Sequence, residues 1–277
     1  MTIWLSGAGL ALGLLVAAGC DGGGTSSVAS TGTETSTSVP AASSVAVYLL
    51  RDGKVSPVRR TVTVTPAVAR VAMTELLEGP TSEESANGLA TAIPAGTTLR
   101  DISLADGVAT VDLGARFDDG GGSASMLARV AQVVATLTRF PTIQRVAFRI
   151  DGRPVEAVGG EGVSVDPPVG RPAIEEQMPQ ILVESPLPGD TVRSPIRLRG
   201  TANVFEATVS IDVRDASGKL LKRTFTTATS GNGTRGTFDT ELALPDRTGR
   251  VTVVSYEASA KDGRPLHVAE VPLELTR

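Results

Sequence analysis

The sequence predicts an α+β domain followed by an all-β antiparallel sandwich. Three observations carry this. Residues 45–158 alternate short β-rich runs with two segments of helical apolar spacing, residues 180–277 hold only short alternating runs, and a Gly/Pro-rich stretch at 159–179 lies between them. The chain's 277 residues suit two domains plus tails, and 41% hydrophobic against 20% charged residues is enough apolar material for two cores.

In the first domain, VAVYLL (45–50) reads as a buried strand. RDGK (51–54) follows as a hairpin turn, Asp52-Gly53 taking the positive φ values. After a polar, β-branched stretch from Val58 to Thr65, Thr65-Pro66 opens a helix as N-cap and first helical residue. Val68, Val71, Ala72 and Leu76 form its apolar stripe, and Gly79-Pro80 ends it. LRDISLA (99–105) and VATVDL (108–113) are strands around Asp106-Gly107, the second alternating Val108, Thr110, Asp112 against Ala109, Val111, Leu113. A second helix begins near Ser123, with Leu127, Val130, Val134 and Leu137 as its core stripe. Its polar face, Gln132, Thr136 and Arg139, is the candidate interaction surface. Pro141 stops the helix, and IQRVAFRI with Asp151-Gly152 supplies a last strand and turn. The order β-α-β-β-α-β, with an extra strand after the first, is a split arrangement with two helices on one face of a small sheet.

Residues 159–179 read as an interdomain linker. Beyond it come seven strand segments: 181–186, 196–203, 207–215, 220–228, 236–244, 250–260 and 267–275. Turns are expected at Leu187-Pro188-Gly189, Ser217-Gly218 and Asp262-Gly263. Seven close-spaced strands fit a sandwich of immunoglobulin-like type, without the Cys–Trp–Cys signature.

Composition excludes most chemistry. One cysteine and one histidine, His267, permit no disulfide framework, no thiolate cluster and no multi-histidine zinc site. A net charge of −4 lacks the basic footprint of a nucleic-acid binder, and 3% aromatics offer few stacking platforms. No GxSxG elbow or phosphate loop is present. Asp118-Asp119 precede a glycine run without the alternating ligands of a calcium loop, and read as helix-favouring loop residues. Glu83-Glu84 and Glu175-Glu176 sit in polar sequence rather than across a cleft, as a glycosidase would need. Arg59-Arg60 could meet a peptidoglycan carboxylate or a lipid head group, though two arginines on a half-polar strand usually form a solvated face. No catalytic residue, metal or cofactor is expected.

At the N-terminus, residues 3–19 are uncharged and largely apolar or small, and end at Cys20. LVAAGC (15–20) resembles a bacterial lipobox, although no Lys or Arg precedes Arg51 as a basic n-region. The resemblance implies a signal peptide over 1–19, cleavage before Cys20, and acylation of that cysteine. Residues 20–44 then form a Gly/Ser/Thr linker, whose 24 residues from Asp21 span roughly 25–30 Å as a flexible coil.

VYLL, ELLEGP (75–80), GLATAIPAGT (88–97), GVATVDLGARF (107–117) and VAQVVATLTRFPTIQRVAFRIDG (130–152) together resemble the GerMN domain of sporulation and germination proteins. Residues 185–221, with GTFDTELAL and SYEASAKDG, resemble the immunoglobulin-like domain of bacterial spore germination proteins. The resemblance implies a non-catalytic envelope lipoprotein of a Gram-positive bacterium, anchored through Cys20 at the outer face of the plasma membrane. Its expected partners are an envelope protein or further copies of itself. A lipoprotein that binds wall polymer or a small solute is the alternative.

Overall fold

The computed structural model describes residues 42–160, 162–244 and 247–277. The first core opens with a hairpin, β1 (Ala42–Arg51) and β2 (Lys54–Thr63), closed by Asp52 and Gly53 at φ 51° and 74°. That is the expected positive-φ turn. β1 begins three residues before the expected Val45, because Ala42–Ser44 pair with Thr61–Thr63. α1 (Val68–Leu77) starts two residues after the expected Pro66. Thr65 does not cap the helix; its hydroxyl accepts from the Ala67 N–H instead. α2 (Ser82–Ala86) is a single turn with a reciprocal capping box between Thr81 and Glu84.

β3 (Leu99–Ala105) and β4 (Val108–Leu113) form the expected hairpin. After α3 (Ser123–Leu137), β5 (Arg145–Ile150) returns parallel to β4, and β6 (Arg153–Pro154) closes the edge. β4 alternates as its sequence demands: Ala109, Val111 and Leu113 are buried, Val108, Thr110 and Asp112 half-buried. The β1–β2 hairpin is a separate ladder from this sheet; Leu50 adds one antiparallel bridge to Ala90, in the loop before β3. α3 packs against β1, β2, β5 and α1 and is buried continuously from Ala128 to Leu137. A helix enclosed on all sides has no polar face to spare.

The segment 159–179 differs from the linker expected there. β7 (Ala157–Val158) and β8 (Val163–Ser164) form a small hairpin, β9 (Val169–Gly170) pairs with β5, and Arg171–Gln177 winds into a 3-10 turn. Val165, Val169, Ile174 and Met178 belong to the first core. Gly159 and Gly162, at positive φ, turn the chain rather than loosen it. The apolar residues of the segment, Val163, Val165, Val169, Ile174 and Met178, are too unevenly spaced to show a period.

The second core is a sandwich. β10 (Ile181–Ser185), β12 (Ile196–Ala202) and β15 (Gly236–Leu242) form a three-stranded sheet in the order β10-β12-β15. β11 (Thr191–Arg193), β13 (Thr208–Asp215), β14 (Leu220–Thr227), β16 (Gly249–Ala258) and β17 (Pro265–Thr276) form the other, ordered β11-β17-β16-β13-β14. All seven expected strands are present. β11, three residues long and parallel to β17, is additional and too short to show alternation. Gly200 is dictated by close approach: a Cβ there would lie 2.2 Å from the Leu182 carbonyl oxygen and 2.6 Å from the Phe238 ring. The two cores share β10. Ile181 and Val183 point into the second core, and Leu182 between them points into the first.

On β13, Asp212 is buried beneath two arginines: Arg223, its partner on β14, binds it at 2.7 and 2.8 Å, and Arg214 at 2.9 Å. The Arg223 bonds hold its carboxyl below the ordinary aspartate range. Burial pushes Glu84 and Glu175 up, but bonds from Arg60 and Thr81 to the first, and from Arg235 and Asn203 to the second, outweigh it. Both carboxyls end below the ordinary range. Each of these groups binds a proton more readily unfolded than folded. Their stabilisation is therefore complete above the unfolded carboxyl range, roughly pH 4–5, and drains away as the pH falls through the lower folded values. Thermal melts should be flat from pH 7 to 5 and drop steeply toward pH 3. Asp212→Asn should lower the neutral-pH melting temperature and flatten the drop, whereas an equally steep acid limb in the variant would show that Asp212 contributes little to it.

Candidate interaction site at the junction of the two cores

The centre of the junction is Tyr48 on β1, which is fully buried. Leu50 exchanges both backbone bonds with Ala90, so the Leu50–Val55 pair lies at a non-hydrogen-bonded position of the β1–β2 ladder. Alternation gives the Tyr48–Pro57 pair the same character, which is why a proline, lacking an N–H, is tolerated opposite Tyr48. The Tyr48 amide groups therefore point away from β2, toward α3. Thr136 Oγ1 accepts from the Tyr48 N–H at 3.0 Å, and Gln132 Nε2 donates to the Tyr48 carbonyl at 3.1 Å. The Gln132 amide oxygen also accepts from the Ala92 N–H at 2.9 Å and the Thr91 hydroxyl at 3.2 Å.

The phenol of Tyr48 reaches across to β10 and donates to Glu184 Oε1 at 2.6 Å. Burial and the Glu184 carboxylate together hold its proton well above the ordinary phenol range. Arg171, from the 3-10 turn, binds the same Glu184 oxygen at 2.7 Å and lies 5.8 Å from the centre of the Tyr48 ring. Burial opposes the charge on Arg171, but Glu184 more than compensates and raises its affinity for the proton. Two further clasps flank this cluster. Arg59 on β2 grips Asp190 with two bonds of 2.6 Å. Arg235 on the loop before β15 grips Glu175 at 2.8 and 3.1 Å and donates to the Pro179 carbonyl at 2.7 Å. Bidentate guanidinium–carboxylate pairs fix orientation as well as distance.

The candidate surface on the second helix is corrected by this geometry. Gln132 and Thr136 are fully buried and serve the backbone of β1, and Arg139 donates to the Glu184 carbonyl at 3.3 Å. The polar stripe exists because α3 borders the unpaired side of a strand, whose amide groups need partners. Arg59 and Arg60 point apart: the first stays exposed while it pairs with Asp190, and the second is largely buried between Glu84 and Glu75, so they do not act as one paired site. Asp118 accepts from the Gly159 N–H. Glu83 lies in the first turn of α2, and the Glu176 carbonyl accepts from Lys54. His267 sits in a bulge of β17 at φ 53°, 3.7 Å from Glu257. Cys20 lies outside the described residues. No group of three or more His, Cys, Asp or Glu side chains able to hold a metal is found among the described residues.

Arg129 escaped the sequence reading. Only 4% exposed, it binds the carbonyls of Ala92, Phe117, Asp119 and Gly120 at 2.7–2.9 Å, and so pins the FDDGG loop to α3. Burial lowers its proton affinity, against which Asp118 and Asp119 act. An arginine as the one charged residue of a largely apolar helical stretch, nine residues after the glycine run begins, was the available signal.

The fold and junction thus define a two-domain protein, an α+β domain joined to an antiparallel sandwich through shared packing and ionic clasps. Residues 46–156 match the family described as "Sporulation and spore germination", and residues 180–264 match the "Immunoglobulin-like domain of bacterial spore germination". The chain carries a GerMN domain followed by an immunoglobulin-like germination domain. Lipoprotein LpqB of Thermobifida fusca is 34% identical over 113 residues, which are 41% of this chain and 18% of LpqB, so the match spans under a fifth of that protein. Among solved structures, the first GerMN domain of the sporulation protein GerM from Bacillus subtilis aligns at 26% identity and a TM-score of 0.40, covering 47% of this chain and 98% of that one. The tandem GerMN domains of the same protein align at 18% identity and 0.43, covering 73% and 62%.

Proposed function

We propose that this chain is a non-catalytic cell-envelope lipoprotein that docks protein partners at the outer face of the plasma membrane. The observation that carries the reading is the joined body: three arginine clasps and a shared strand hold two domains as one surface, suited to presenting a fixed geometry to a partner. The two germination-family domains and the lipoprotein relative support the same reading. In it, residues 1–19 are a signal peptide and Cys20 carries the lipid. The polar tract that follows is a tether, keeping the body near the membrane, where weak interfaces gain from effective concentration.

Cys20→Ala is expected to leave an unprocessed precursor or release the protein into the medium, followed by fractionation and mass spectrometry of the N-terminus. A variant still processed and membrane-bound would overturn lipid anchoring. In-cell cross-linking of the wild-type protein should yield a self-ladder or one dominant membrane-protein partner. Scattered neighbours attached to wall fragments would overturn the docking role.

A further inference from the structure

Among the described residues, β2 is paired on one side only. The alternation that turns the Tyr48 amides toward α3 turns those of Val55, Arg59 and Thr61 outward, along the free edge of β2. Pro57 offers that edge a carbonyl but no N–H, so a further strand would pair chiefly through Arg59 and Thr61. A cleft of about 870 Å³ adjoins this strand, between the first core and β17 of the sandwich. Val58 and Leu89, both nearly buried in the first core, border it on one side, and Val268 and Pro272 on the other; Val268 is half-exposed.

The cleft's charges are uneven. Arg59 is neutralised by Asp190, and Glu84 by Arg60. Among the described residues, Glu83 on α2 and Glu270 on β17 have no ion-pair partner, against one guanidinium, Arg51, which already donates to the Asn87 carbonyl. A free strand edge, apolar walls and a carboxylate surplus match one occupant: extended, basic polypeptide. We propose that the cleft binds such a segment as an added strand on β2, its apolar side chains against Val58 and Val268 and its lysines or arginines toward Glu83 and Glu270. Backbone pairing would supply affinity and the two carboxylates the preference for cations. This names the partner chemistry for the docking role above and rests on it.

The test uses the full chain in detergent and a fluorescein-labelled peptide of about seven alternating Val and Lys residues, enough to follow the edge at ~3.3 Å per residue. Anisotropy should show saturable binding that weakens with salt. A Glu-for-Lys peptide and one N-methylated at alternate amides should each bind at least about tenfold more weakly. The double variant Glu83→Gln/Glu270→Gln changes only exposed side chains, so it should keep the wild-type melting temperature while losing about tenfold in affinity for the Lys peptide. No saturable binding up to millimolar, equal binding of the acidic or N-methylated peptide, or unchanged affinity in the double variant would overturn the proposal. If the peptides fail while cross-linking still captures a protein partner, the cleft is wrong and the docking role stands. If both fail, both fall.

Discussion

A fragment ending at residue 158 is expected not to reach a native state, whereas 42–277 folds cooperatively. The cut removes Val165, Val169, Ile174, Met178 and Leu182 from the first core, where each is at most 6% exposed. At about 1.5–3 kcal/mol per fully buried apolar side chain, the loss is about 8–15 kcal/mol, comparable to the whole stability of a typical domain. It also strips β9 from β5 and Arg171 from Tyr48. Circular dichroism and a urea titration would check it: the fragment should lack a sharp transition. A fragment ending at 158 with a sigmoidal unfolding curve and wild-type slope would mean that the connector decorates the first core rather than completing it.

Glu184→Ala is expected to cost about 2–4 kcal/mol, and mostly at the junction. The carboxylate is the common acceptor of the Tyr48 hydroxyl and the Arg171 guanidinium, so its removal leaves a buried phenol without a partner and a largely buried cation without its counter-charge, held only by the Thr138 hydroxyl at 3.0 Å. Tyr48→Phe is the control. It removes the hydroxyl but keeps the ring packing and the Arg171–Glu184 pair, and should cost about 1–2 kcal/mol. If the cluster joins the two domains, Glu184→Ala should also split a single unfolding transition into two in calorimetry. One transition, displaced no further than in Tyr48→Phe, would show that Arg59–Asp190 and Glu175–Arg235 hold the domains without it.

Much of the fold was legible in the residues. The Asp52-Gly53 turn, the alternation of β4, the Val130, Val134 and Leu137 part of the α3 stripe and the seven sandwich strands are all local patterns, set by backbone sterics and by the periods of helix and strand. The two family resemblances rest on the same local runs. The candidate site was not legible. Gln132 and Thr136 do line one side of α3, with Arg139 just past its end, but a polar stripe looks the same in sequence whether it meets water or the unpaired edge of a strand 84 to 88 residues away. Arg59 and Arg60 adjoin in sequence yet alternate in direction along β2, so each finds its own carboxylate.

What the sequence by itself determined is therefore the kind and order of the elements: a split α+β unit, then an antiparallel sandwich, behind an apolar run ending at Cys20. Only the tertiary structure decided that residues 159–179 belong to the first core, that β10 serves both cores, and that the polar stripe is interior. The physical reason is range. Turns, caps and periodic faces are fixed by neighbours within a few residues, whereas the clasps at Glu184, Asp190 and Glu175 pair groups 13 to 136 residues apart, and no local pattern records which donor will meet which acceptor.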